Sequence, residues 1–130
     1  MAAAAAITLP DSQGTPVDHV FTPTSIKGDK AEYKNFAEEN SIGREVLSLQ
    51  LTENGRLRKC VSIIKVPRLI TEVINGVNVP SVPDFGMVKI EHIVPLTWSL
   101  EDVEDLVEIA SQLHQQTPAI VMPTKGEFVF

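Results

Sequence analysis

The chain contains one cysteine, Cys60, one tryptophan and one tyrosine, and aromatic residues fill only 5% of its 130 positions. A lone thiol cannot close an intramolecular disulfide. The histidines at 19, 92 and 114 are widely separated and give no metal-ligand spacing with each other or with Cys60. Neither disulfides nor a structural metal should therefore staple the fold, and no cofactor is expected. No apolar run approaches the roughly 18–20 residues a membrane span needs, so no membrane partner is expected. The opening Met1–Ala6 has no basic segment ahead of it and gives way at once to Thr8, Pro10 and Asp11, unlike a secretory signal. The protein should be made in a cytoplasm and stay there. Gly-x-Ser-x-Gly, a P-loop and a Gly-rich dinucleotide fingerprint are absent, and no recognisable motif sets a carboxylate or nucleophile beside a histidine. No active site is expected.

An excess of positive charge is also lacking, since 11 Lys and Arg face 17 Asp and Glu, for a net charge of −6. That sum argues against a polyanion partner, but distribution matters more. Between 44 and 68 lie Arg44, Arg56, Arg58, Lys59, Lys65 and Arg68 against only Glu45 and Glu53, whereas 99–116 holds five acids and no Lys or Arg. On opposite faces of a layered domain, these segments would give an acidic protein one basic surface.

What is present is enough apolar material, 43% of residues at 22% charged, for one compact domain of 14.2 kDa. Ala6–Leu9 and Val17–Phe21 flank the turn-formers Pro10 to Pro16 and predict an N-terminal β-hairpin within 1–21. Residues 22–43 show little periodicity beyond a short strand around Ala31–Phe36. From Val46, Leu47, Leu49 and Leu51 alternate with Ser48, Gln50 and Thr52, the pattern of a half-buried strand. Asn54-Gly55 predicts a type I′ hairpin returning along Leu57–Val66. That loop sets Gln50 opposite Lys59, Ser48 opposite Val61 and Leu49 opposite Cys60, so Lys59 joins the polar face while Arg58 and Cys60 take the other. Pro67 should end the strand. A second hairpin at Asn75-Gly76 and a strand Met87–Val94 complete a main sheet over 44–95.

At Ser99 the period changes. Leu100, Val103, Leu106, Val107, Ala110 and Leu113 fall at helical spacing, with Glu101, Asp102, Glu104, Asp105 and Glu108 opposite. Ser99 and Asp102 resemble a capping box, so a helix is expected over 99–117, stopped by Pro118. A packed apolar tail should follow over 118–130. One helix cannot cover such a sheet, and the shortfall predicts a second copy of the chain.

Three prolines, 67, 80 and 95, the loop Asn75-Gly76-Val77, one acidic helix, and a close at Gly126 and Phe130 resemble the levivirus coat proteins of small RNA phages. The similarity is specific over about 44–130; before it only the hairpin agrees. It implies an α+β fold: an N-terminal hairpin plus an antiparallel meander, then a C-terminal helix, in an intertwined homodimer with a continuous sheet facing RNA and helices outside. It further implies a virion capsid subunit, assembled in a bacterial cytoplasm into an icosahedral shell, that packages single-stranded genomic RNA and binds an operator hairpin as a translational repressor. Carried over by position, the RNA-facing candidates are Ser48, Gln50, Thr52, Lys59, Val61, Met87, Lys89 and Glu91. This chain has Gln50 where the family pattern has Arg, Val61 and Ile63 where it has Thr and Lys, and Met87 where a Tyr stacks on a base. General RNA contact is therefore expected to survive better than operator readout. The alternative from another class is a small dimeric α+β enzyme or ligand-binding module, which a concave pocket with convergent polar groups would favour.

Overall fold

The computed structural model describes residues 5–127. Met1–Ala4 and the closing Phe128-Val129-Phe130 of the expected tail lie outside the described residues. The chain divides into two units, Met1–Ile93 and Val94–Phe130.

The first unit is a six-stranded sheet in sequential order: β1 (Ile7–Pro10), β2 (Asp18–Lys27), β3 (Lys30–Lys34), β4 (Val46–Glu53), β5 (Leu57–Ile74) and β6 (Val77–Pro95). The N-terminal hairpin is present, with Ile7 opposite Phe21 and Leu9 opposite His19. β2 then runs on to pair with β3 through a register shift between Pro23 and Ser25, so the hairpin and meander share one sheet. One face gathers a small core of Phe21, Tyr33 and Leu47, with Ile7, Ala31, Leu49 and Ile64 packed against it. These positions alternate along their strands as a one-sided apolar face requires. Near its margin a short 3₁₀ turn, Ser41–Gly43, brings Gly43 so close to Leu69 that an added Cβ would stand 2.9 Å from a Leu69 methyl carbon.

The structure corrects three expectations. First, the β4–β5 register is Gln50 opposite Val61, Thr52 opposite Lys59, Leu51 opposite Cys60 and Ser48 opposite Ile63. Asn54 N–H donates to Leu57 O at 3.0 Å, so the two-residue loop is Gly55-Arg56. The Asn54 side chain explains the displacement, since its carbonyl accepts from the backbone N–H of both Arg56 (3.2 Å) and Leu57 (3.0 Å). Neither Asn54 nor Gly55 has positive φ, whereas Asn75 (φ 51°) and Gly76 (φ 77°) both do, as type I′ demands. The slip moves each residue's partner along by two, which preserves every face assignment.

Second, Pro67 does not end a strand. β5 pairs with β4 only as far as Lys65, opposite Val46, so its continuation has no β4 backbone to serve and the missing N–H costs no ladder bond there. Likewise Pro80 and Pro83 lie within β6, the last strand in the order, where one edge is free.

Third, Pro118 starts a helix. In the second unit α1 (Leu100–His114) is capped by Ser99, whose Oγ accepts from Asp102 N–H at 3.2 Å. Two residues later α2 (Thr117–Lys125) begins with Pro118 in its first turn, where a missing N–H is harmless, and closes on Gly126 at φ 68°. Most of the expected tail is thus helical. No residue of either helix is buried, and Leu100, Ile109 and Leu113 are 75%, 67% and 58% exposed. No described helix is long and apolar enough to cross a membrane.

Candidate nucleic-acid interface

The side of the sheet away from Phe21, Tyr33 and Leu47 is assembled by register. Ser48, Gln50 and Thr52 on β4 point to it, and their direct partners Ile63, Val61 and Lys59 on β5 share it. Lys59 Nζ reaches Glu91 Oε1 at 3.1 Å, which puts Glu91, and by alternation Lys89 and Met87, on the same side of β6. The eight residues singled out from sequence therefore occupy one face, and Met87 is 57% exposed there.

The same register adds residues that sequence reasoning missed. Lys65 lies two positions beyond Ile63, with its ammonium 4.0 Å from the centroid of the Phe85 ring, so Phe85 belongs to the face as well. From β3, Lys30 stands opposite Gln50 and Lys34 opposite Val46, and Lys27 of β2 stands opposite Lys30. Six of the chain's seven lysines thus share one face, accompanied along β3 and β6 by Glu32 and Glu91. The signal that could have found them was the hairpin at Gly28-Asp29, whose Gly28 (φ 55°) takes the positive φ that opens a type II′ turn.

The arginines are sorted differently. Arg58, paired with Glu53 at 2.7 Å, and Arg68, gripping both carboxylate oxygens of Asp84 at 2.8 Å each, belong to the core side. Arg44 donates to the carbonyls of Glu38 and Glu39 and lies 4.8 Å over the Phe36 ring. A guanidinium fork suits such fixed bonds; an ammonium is a mobile point charge better matched to a polyanion.

A second polar cluster was not foreseen. His19 Nδ1 lies 2.6 Å from Glu45 Oε1 and its Nε2 lies 2.9 Å from Asp11 Oδ2, so two carboxylates do flank this histidine. Glu45 also accepts from Asn35 Nδ2 at 2.7 Å. Hydrogen bonds from Glu45, then Asp11, raise the His19 pKa above its usual value. Backbone N–H donation from Val17, then the bond to His19, holds Asp11 down at about 2. Carboxylates on both ring nitrogens favour the protonated ring, the form that has no lone pair to offer as a base. The arrangement ties the N-terminal hairpin to the sheet rather than serving chemistry. On the core side, a shallow groove of about 370 Å³ among Ile26, Ala31, Leu49, Leu51 and Cys60 is almost wholly apolar. It lacks the convergent polar groups that would recommend the enzyme alternative, and in the groove of about 410 Å³ that does hold them, beside His19, Asn35 and Glu45, those three side chains are bonded to one another or to Asp11.

A meander sheet with one lysine-rich face, followed by one acidic-sided helix and a second without acids, is the arrangement that the family comparison decides. The family model for levivirus coat protein matches residues 2–128. This chain belongs to that family. The capsid protein of Pseudomonas phage PRR1 is 28% identical over 89 residues, a segment spanning 65% of this chain and 65% of that protein. Among solved structures, the virus-like particle of bacteriophage ESE058 superposes with a TM-score of 0.90 at 23% identity, covering 99% of this chain and 100% of that one. The capsid protein of bacteriophage GA superposes with a TM-score of 0.76 at 21% identity, over 92% and 93% of the two chains. At these identities the structural likeness establishes the fold: a six-stranded antiparallel sheet followed by C-terminal helices. Family membership places the levivirus coat protein described here among structural proteins of the virion, not among enzymes.

Proposed function

We propose that this coat protein forms homodimers that assemble into an icosahedral shell, with the lysine-bearing sheet face turned inward onto single-stranded genomic RNA. The observation that carries the reading is the sorting of charge: an acidic chain collects six of its seven lysines on one sheet face and five acids on one helix. Phosphate neutralisation needs only a local excess of ammonium groups, and that face supplies it. Dimerisation is supported by the apolar surface a single chain leaves uncovered, including Leu100, Val107, Ile109 and Leu113 of α1. Within the face, Lys59 and Lys89 hold phosphates. Ser48, Gln50 and Thr52 offer hydrogen bonds, with Val61 and Met87 as apolar contacts beside bases, and Glu91 orients Lys59. Binding of an operator hairpin, with repression of translation, is the finer form of the same role, since unpaired loop bases can be splayed onto an exposed sheet.

Negative-stain electron microscopy of protein expressed alone in bacteria, with its 260/280 nm absorbance ratio, tests the proposal. Uniform shells with nucleic-acid absorbance are expected, and Lys59→Ala with Lys89→Ala should lower that ratio while shells persist. Free dimers or monomers alone, across salt and pH and with RNA added, would overturn it.

A further inference from the structure

The open face continues across β2 and β3 with positive charges that the family-aligned positions do not include. Lys27 and Lys30 are direct cross-strand partners on either side of the Gly28-Asp29 turn, and both are exposed. Lys30 is in turn opposite Gln50, so Lys27, Lys30 and Gln50 form a row across three strands, with steps of about 4.8 Å. Like charges placed directly opposite destabilise a strand pair. Nothing relieves them: among the described residues no carboxylate lies within ion-pair distance of either lysine. Glu32, on the same face of β3, stands opposite Ser25 and Ser48 instead. Edge protection against aggregation accounts for Lys27, because β2 pairs with β1 only as far as Phe21, but not for Lys30, which lies on β3 between β2 and β4.

We infer that Lys27 and Lys30 form a clamp for the phosphate backbone of single-stranded RNA, independent of base sequence and continuous with the Gln50 row. This deepens the reading proposed above and rests on it. A phosphate between the two ammonium groups turns a mutual repulsion into a shared attraction, and point charges without a planar fork carry no base readout. The pair therefore contributes affinity and salt dependence, not operator choice.

The test is the binding of the full-length chain to an unstructured oligouridylate across a series of KCl concentrations. Each phosphate neutralised on a single strand adds about 0.7 to the slope of log affinity against log salt. Lys27→Gln with Lys30→Gln should reduce the slope by about 0.7, equivalent to roughly fivefold weaker binding at 0.1 M KCl if the two lines meet at 1 M. The thermal midpoint of the variant should be unchanged or higher, because a repulsion has been removed. Lys125→Gln, which alters the one lysine outside the sheet, should leave the slope alone. A wild-type slope in the double variant, or an equal loss per charge in Lys125→Gln, overturns the clamp while leaving RNA binding intact. A wild-type chain that does not bind the oligonucleotide at all overturns the RNA reading itself, a result the unmutated protein gives without any variant.

Discussion

On one side of the sheet Phe21, Tyr33 and Leu47 are nearly closed to solvent, and the arginines of that side are locked to Glu53 and Asp84. On the other side six lysines stand exposed or half-exposed, and among them only Lys59 has an ion-pair partner among the described residues. The backbone is common to both faces; the difference lies in which groups are bonded within the chain. The core side has used its side chains to hold the fold, whereas the open side has kept its charges available, which is how a surface reserved for a partner differs from one that maintains structure.

Substitutions should separate the two faces by what they damage. The largest effect is expected from Leu47→Ala, which empties part of the core cluster: about 2–5 kcal/mol lost on chemical denaturation, with any RNA affinity of the surviving folded protein unchanged. Gly43→Ala follows at about 1–3 kcal/mol, because a methyl group must displace Leu69 where the 3₁₀ turn meets β5. A smaller effect is expected from pH. The His19 pKa is raised in the folded chain, so its contribution is complete below the unfolded value near 6.5 and fades as pH rises through the folded value. Asp11, held at about 2, contributes above its usual 3.8 and loses that contribution as pH falls through 2. The hairpin tie should be firmest between those limits, and the thermal midpoint should fall from pH 6 to 9 in the wild type but not in His19→Gln. Arg68→Lys, which breaks a two-pronged bond between side chains 65% and 60% exposed, should cost under about 1 kcal/mol in the same denaturation assay.

Much of this architecture is legible in the amino-acid pattern alone. The alternation of Leu47, Leu49 and Leu51 with Ser48, Gln50 and Thr52 specifies a strand and its faces, and the apolar spacing from Leu100 to Leu113 specifies a helix. Two identical Asn-Gly dipeptides, however, adopt different turns, because Asn54 spends its side chain on two backbone N–H groups while Asn75 takes the left-handed region itself. Pro67 reads as a strand end because a sequence does not reveal which strand edge lacks a neighbour. Pro118 reads as a stop because the same residue serves equally at the first turn of a new helix. Lys27, Lys30 and Lys34 carry no such signal because 22–43 lacks apolar periodicity, and only the pairing of β3 with β4 aligns them with Gln50. The cluster of His19, Asp11 and Glu45 depends on contacts between residues 8 and 26 positions apart, which no local pattern encodes.

β5 continues nine residues past Lys65, the last of its residues to pair with β4, and from there β6 is the one described strand that accompanies it as far as the Asn75-Gly76 turn. At about 3.3 Å per residue this two-stranded ribbon is a lever arm of roughly 30 Å, and two-stranded ribbons twist more freely than broad sheets. Leu69, resting against Gly43, acts near its root as a fulcrum. A bend of about 10° there would swing the tip by roughly 5 Å, so a small adjustment at the root is magnified at the turn while the core cluster stays still. Reach and compliance are thereby combined in a segment whose apolar tip, Val73, Ile74 and Val77, is 71%, 50% and 60% exposed.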